Sequence, residues 1–170
     1  MGLKIPEGVS IEVPSAGALV VKGPLGSVER KFDSRVVEIK TEGGEVKVEL
    51  KVKRRRSTHA MMRTIEEHLK NMVEGVLKKY EKKLEIAYLH FPVTLEIKGK
   101  DISIKNFLGE KTPRKAKIHG NATVEVKGQE ITVSGIDKES VGQTAANIVQ
   151  ATQIRKKDRR IFQDGIYYKE

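Results

Sequence analysis

The sequence predicts an α+β protein built from two tandem copies of one unit, each a small, mostly antiparallel β-sheet covered by one long α-helix. Three observations carry this prediction. Apolar residues alternate in period two between Val9 and Leu50, a helical period takes over from Ser57, and the same programme returns in the same order after Tyr80.

In the first copy the alternating runs are Val9, Ile11 and Val13, then Leu19 and Val21, then Val46, Val48 and Leu50. Turn signals at Pro14 to Gly17, Gly23 to Gly26 and Gly43-Gly44 separate them, the pattern of an antiparallel sheet. Ser57 is the expected N-cap of the helix that follows. Met61, Ile65, Leu69, Met72 and Val76 form its apolar stripe, which Met62, Val73 and Leu77 widen. One face of the sheet needs a cover, and this helix supplies it.

In the second copy Glu85 to Leu89 reads as an additional lead-in strand. Val9-Ser10-Ile11-Glu12-Val13 then returns as Val93-Thr94-Leu95-Glu96-Ile97, and Lys22-Gly23-Pro24-Leu25-Gly26 as Lys105-Asn106-Phe107-Leu108-Gly109. Val37-Glu38-Ile39-Lys40 returns as Val124-Glu125-Val126-Lys127, before a strand at Ile131 to Val133 and a closing helix. The offset between matched elements drifts only from 83 to 87 residues. This is an internal duplication, with units at 1–80 and 81–170 and the charged Lys79 to Lys83 stretch as the linker.

The closing helix starts at Asp137, an N-cap whose carboxylate accepts from first-turn backbone N–H groups. Val141, Ala145, Ile148 and Val149 make its apolar side, and Lys138, Gln143, Asn147 and Gln150 fall outside that stripe. A tail follows. Arg155, Lys156, Lys157, Arg159 and Arg160 are interrupted only by Asp158, and Ile161, Phe162, Tyr167 and Tyr168 come after them, around an Asp164-Gly165 turn. Bulky apolar residues beyond the charges predict a tail that is held down, and the whole reads as a grip on nucleic acid.

Composition supports an anionic partner. The chain has 170 residues, 38 % of them apolar, and a net charge of +10, with a pI near 9.7. Each half carries +5, so clusters rather than totals must localise the partner. Between Lys98 and His119 lie Lys98, Lys100, Lys105, Lys111, Arg114, Lys115 and Lys117 against Asp101 and Glu110 alone. In the first copy the cations gather instead at Lys51, Lys53, Arg54, Arg55 and Arg56, where they oppose the dipole of the helix they precede.

Other classes find no support. There is no cysteine for disulfides, thiol catalysis or thiolate metal sites, and His59, His68, His90 and His119 lack the spacing of paired ligands on a helix. No phosphate-cradling glycine motif precedes a helix. No aliphatic run is long enough to span a bilayer and the N-terminal stretch has no apolar leader, which predicts a chain that stays in the cytoplasm. The expectation is therefore no enzyme, no cofactor, no metal, no membrane and no small-molecule substrate.

Particular residues carry a family likeness. Leu69-Lys70-Asn71-Met72-Val73-Glu74-Gly75-Val76, then Gly135-Ile136-Asp137-Lys138 leading to Val141-Gly142-Gln143 and Ala145-Ala146-Asn147-Ile148, resemble the two signature helices of the sixth protein of the large ribosomal subunit. The tail from Lys157 to Tyr167 resembles that family's archaeal and eukaryotic branch, where the bacterial branch has a shorter Tyr-Lys-Gly-Lys-Gly version. The resemblance covers nearly the whole chain. It implies a two-domain structural protein that binds large-subunit ribosomal RNA, mainly through its C-terminal domain, near the sarcin–ricin region where translational GTPases dock. Neighbouring large-subunit proteins are implied as further partners.

Carried over to this chain, the resemblance points to Lys138, Gln143 and Asn147 on the helix and to Lys156, Lys157, Arg159, Arg160 and Tyr167 in the tail, to which Arg155 belongs by position. Charge alone adds Lys105, Arg114, Lys115 and Lys117. Gly142, unfavourable in a helix, is expected to serve either a close external approach or a tight helix–sheet contact. The competing reading is a non-ribosomal interaction module that binds partners by sheet-edge addition, with basic residues only for solubility.

Overall fold

The computed structural model describes residues 2–13, 17–42, 45–53, 55–88, 91–155, 157–158 and 160–169 of the 170. The expectations for Pro14 to Ala16, Gly43-Gly44, Arg54, Leu89, His90, Lys156 and Arg159 lie outside the described residues. The chain forms two compact units, Met1–Lys79 and Tyr80–Glu170.

The first unit contains β1 (Gly2–Lys4), β2 (Ser10–Glu12), β3 (Ala18–Gly23), β4 (Gly26–Lys31), β5 (Val37–Glu42), β6 (Glu45–Leu50) and α1 (Arg56–Leu77). The strands make two antiparallel sheets of three, ordered β1-β6-β5 and β2-β3-β4. Helix α1 packs against both, touching β3, β4 and β6. Its buried stripe of Ile65, Leu69, Met72, Val73 and Val76 meets Leu19, Val21, Val46 and Val48, whose period-two spacing turns them to one face. Gly23 is where helix and sheet come closest. A Cβ built there would lie 2.7 Å from Val76 Cγ2, too near for any side chain to be accepted without a shift.

Two details of α1 differ from expectation. The helix begins at Arg56 with Arg55 as N-cap, not Ser57, and the Thr58 hydroxyl accepts the Arg55 backbone N–H at 2.9 Å. A residue three positions into the helix thus satisfies a donor that the cap cannot satisfy itself. Met61 and Leu77 are 41 % and 42 % exposed rather than buried. At 3.6 residues per turn they lie on the two margins of the stripe that Leu69 and Val76 centre.

The second unit contains β7 (Tyr80–Ala87), β8 (Thr94–Lys98), β9 (Asp101–Lys105), a 3-10 turn (Phe107–Gly109), β10 (Arg114–Lys117), β11 (Thr123–Lys127), β12 (Glu130–Gly135), α2 (Lys138–Ala151) and β13 (Gly165–Tyr168). One sheet is ordered β8-β9-β10 and the other β11-β12-β7-β13. Without β13, the second order repeats β5-β6-β1, so the lead-in strand is not an addition: β1 is its counterpart in the first unit. The stretch read as a linker also proves different. Residues 80 to 83 form the first half of β7, pairing with β12 from Tyr80↔Gly135 onward. Their charges hid the strand because Glu81, Lys82 and Lys83 are all exposed, and burial begins only at Leu84 and Ile86.

Leu84, Ile86, Ile102, Ile104, Phe107, Ile131, Val133, Val141, Ala145 and Ile148 form the core of this unit. Ile154 and Ile166 join it from the residues after α2. The tail is part of the fold.

Candidate nucleic-acid interface

Helix α2 starts as the sequence predicts. The Asp137 carboxylate accepts from the backbone N–H of Glu139 at 3.2 Å and of Ser140 at 3.1 Å, and from the Ser140 hydroxyl at 2.5 Å. Val141, Ala145 and Ile148 are buried, with Ser140 and Thr144 beside them, while Val149 lies at the edge of the core. The two buried hydroxyls are not idle: Thr144 Oγ1 accepts the His119 backbone N–H at 2.9 Å. This contact holds the loop after β10 against the helix.

The polar side of α2 is organised as a relay. Gln143 Nε2 donates to Asn147 Oδ1 at 2.9 Å, and Asn147 Nδ2 donates to the Lys117 carbonyl at 2.8 Å. Asn147 is therefore tied to the end of β10, and Gln143 is oriented by it with its own carbonyl oxygen left for an outside donor. Lys138 lies elsewhere, at the first turn, with its ammonium 5.5 Å from the centre of the Tyr80 ring. Gly142 has no heavy atom within 4 Å of the place a Cβ would occupy. Internal packing thus does not account for it, and of its two expected explanations the tight helix–sheet contact is removed.

Strand β10 separates the three cations that charge counting had grouped. Its pleat turns Ala116 into the core and leaves Lys115 and Lys117 exposed on the other face. Arg114 lies on the side of Ala116. Its guanidinium sits 4.3 Å from the centre of the Phe107 ring and forks onto Glu110 at 2.8 and 2.6 Å. It also donates to the carbonyls of Ala151 and Gln153 at 3.0 and 3.1 Å. Ala151 is the last residue of α2 and Gln153 lies just past its C-cap, so the cation also meets the negative end of the helix dipole. The fork holds the Glu110 carboxyl below the usual carboxylate range, mainly through the hydrogen bond from Arg114. Lys105, on β9, pairs with Glu96 at 2.5 Å and depresses that carboxyl in the same way.

Beyond α2 the chain makes an excursion anchored at both ends. Ile154 is buried on the way out, Asp164 and Ile166 on the way back. The Ile166 backbone N–H donates to Thr152 Oγ1 at 3.1 Å, and β13 then adds to β7 from Gly165↔Ala87 to Tyr168↔Leu84. Between the anchors, Arg155, Lys157 and Arg160 are all exposed. Asp158, the one acid in the run, shapes the loop: its carboxylate accepts the Arg160 N–H at 3.0 Å, and its carbonyl accepts the Phe162 N–H at 2.9 Å. Lys157 Nζ lies 4.5 Å from the centre of the Phe162 ring, itself packed against the core. The Tyr167 hydroxyl donates to the Gln163 carbonyl at 3.0 Å, so this ring braces the returning chain while remaining half exposed. A cleft of about 500 Å³, lined in part by Gln150, Arg155, Phe162 and Tyr167, opens between the helix end and β13.

The structure thus brings Lys115, Lys117, Gln143 and Asn147 into one neighbourhood and Arg155, Lys157, Arg160 and Tyr167 into another, joined by α2. Sequence reasoning missed the residues that hold these in position: Thr152, Asp158 and Glu110. A threonine directly after a helix and an aspartate two residues before an arginine were the available signals.

The pattern that defines the family described as Ribosomal protein L6 matches this chain twice, over residues 5–79 and 91–165. The chain belongs to the ribosomal protein L6 family. Each match covers one unit and begins just after that unit's first strand, β1 or β7. Two curated relatives, both described as Large ribosomal subunit protein uL6, are similar along nearly their whole length. The one from Methanosarcina mazei is 50 % identical over 165 residues, 97 % of this chain and 93 % of the relative. The one from Methanocella arvoryzae is 45 % identical over 166 residues, with the same coverage. Membership makes the chain a structural constituent of the ribosome and not an enzyme. The non-ribosomal interaction module is set aside by the same finding.

Proposed function

We propose that this ribosomal L6 protein binds large-subunit ribosomal RNA chiefly through its second unit, near the sarcin–ricin region where translational GTPases dock, with neighbouring large-subunit proteins as further partners. The observation that carries the reading is the anchored excursion after α2. Arg155, Lys157 and Arg160 are exposed, yet the excursion that bears them is fastened at its two ends by Ile154, Thr152 and β13, which restricts the positions these cations can take. Pre-ordering of this kind lowers the entropy lost on binding.

The division of labour follows from the side chains. Arg155, Lys157 and Arg160 neutralise phosphates and release counterions, with Lys156 and Arg159 of the same run. Lys115 and Lys117 extend the field along β10, and Lys138 and Lys105 contribute at its margins. The Gln143 carbonyl oxygen suits a ribose 2′-hydroxyl in the shallow minor groove of an A-form helix, with Asn147 orienting it. Gly142 lets the RNA backbone come close to α2. Arg114 acts on the RNA only indirectly, as a positioning residue that fixes the helix end from which the tail departs.

The test is RNA affinity across a salt series for Arg155→Ala with Arg160→Ala. The log–log salt slope is expected to fall by nearly one unit for each phosphate the variant no longer neutralises. An unchanged affinity and slope sinks the tail assignment.

A further inference from the structure

We propose that the first unit carries a second, separate contact with RNA phosphates, made by Lys51, Lys53, Arg55 and Arg56 at the start of α1, with Arg35 beside them. This rests on the RNA-binding reading above and extends it to the other repeat.

The cluster has no structural use. Among the described residues the side chains of Lys51, Lys53, Arg55 and Arg56 are exposed and make no ion pair, whereas Lys22, Lys40, Lys105 and Lys169 each hold a carboxylate. Protection of a sheet edge, the ordinary reason for such lysines, concerns at most Lys51: β1 covers β6 only at residues 45–47, so the strand's last residues are paired on one side, but Lys53, Arg55 and Arg56 lie beyond the strand altogether. The position is also unfavourable for the helix. Arg55 is the N-cap, Arg56 opens the helix, and the first turn contains no acid to offset them against the positive end of the dipole. The other helix has the opposite arrangement, with Asp137 as cap and Glu139 in its first turn.

The fold concentrates rather than disperses these charges. The Lys51 N–H donates to the Val36 carbonyl at 3.0 Å, which brings Arg35 to the same end of the sheet. The nearest acids are Asp33, which accepts the Arg35 backbone N–H at 3.0 Å, Glu38, and Glu49, which is paired with Lys40 at 2.8 Å, so cations still outnumber acids at this end of the sheet. Glu66 and Glu67 lie further along α1, beyond the cluster. The chemistry favours a phosphate backbone over an acidic protein. Among the described residues the patch has one exposed large apolar side chain, Val52 at 41 %, and none of the aromatic anchors that dominate protein interfaces, where valine is a weak contributor. A field of lysine and arginine without such an anchor is what phosphate neutralisation requires.

The experiment uses the full chain and purified large-subunit ribosomal RNA, with binding measured across a salt series. Four proteins are compared: wild type, Lys53→Ala/Arg55→Ala/Arg56→Ala, Arg155→Ala/Arg160→Ala, and the charge-preserving Lys53→Arg/Arg55→Lys/Arg56→Lys. The cluster variant is expected to lose about two units of salt slope and on the order of tenfold in affinity, and the charge-preserving variant to keep both. The thermal midpoint of the cluster variant should be equal to or above that of wild type, since charges opposing the dipole are gone. Wild-type slope and affinity in the cluster variant, with weakened binding in the tail variant, overturns the second contact and leaves the tail reading standing. Unchanged binding in both variants overturns the two together. Loss of polyglutamate binding in the cluster variant, with its RNA binding unchanged, also overturns the proposal in favour of an acidic protein partner.

Discussion

The two units share a topology and differ in how they treat the ends of their helices. In the first, α1 is 22 residues long, starts among uncompensated cations and leads within two residues into β7. In the second, α2 is 14 residues long, starts on an aspartate that caps it twice over, and leads into an excursion fastened by an extra strand. The cores are built alike: alternating aliphatic residues on two sheets meet an aliphatic helix stripe. The duplicated scaffold therefore solves the folding problem once, and the copies differ at their helix ends: in polar residues at the helix starts and, in the second, in a tail that adds Ile154, Ile166 and β13 to the core and the sheet.

The largest effect expected from breaking this contrast is at Arg114. Arg114→Ala removes the fork to Glu110, the stacking on Phe107 and two carbonyl hydrogen bonds, and should destabilise the chain by about 2–3 kcal/mol in denaturant unfolding. Arg114→Lys should recover only part of this, because an ammonium cannot reproduce the planar fork. Next come the caps, where the two repeats should respond with opposite signs. Asp137→Ala is expected to cost about 1 kcal/mol, whereas Arg55→Ala should leave stability unchanged or raise it by a few tenths of a kcal/mol, on the order expected for relieving a dipole clash. Equal destabilisation at both sites would contradict the view that the first cap is shaped by something other than stability.

Gly142→Ala sharpens the comparison differently. With open space around the missing Cβ, alanine should stabilise the free protein by roughly 1 kcal/mol. RNA affinity should fall at the same time, and a gain in both would argue against a close RNA approach. The smallest effect is in pH dependence. Glu110 has its folded-state pKa lowered, mainly by the Arg114 hydrogen bond. Its contribution is fully present above the ordinary carboxylate range and is lost as pH falls through the depressed value. Stability should thus decline on acidification, and Arg114→Ala should flatten that decline.

Much of this was legible in the residues themselves. Alternation at Val46 and Val48, the stripe through Leu69 and Val76, and the Asp137 cap each follow from one local period or one side chain, and local rules suffice for them. What was not legible depends on partners distant in the chain. Gly165 to Tyr168 became a strand only because β7 offers it an unpaired edge, and Glu81 to Lys83 became one because β12 lies alongside. Arg114 was grouped with Lys115 and Lys117 by charge, although the alternation that buries Ala116 already assigned it to the other face. Counting charges ignores pleat, and pleat decides which cation meets solvent.

In the proposed complex RNA is bound chiefly by the second unit, through the face of α2 and the fastened tail. Backbone amide shifts of the full chain, followed by NMR while large-subunit ribosomal RNA fragments are added, test it most directly. The largest perturbations are expected at residues 115–117, 138–147 and 155–167, with a smaller set at the start of α1. Perturbations confined to Met1–Lys79 would contradict it.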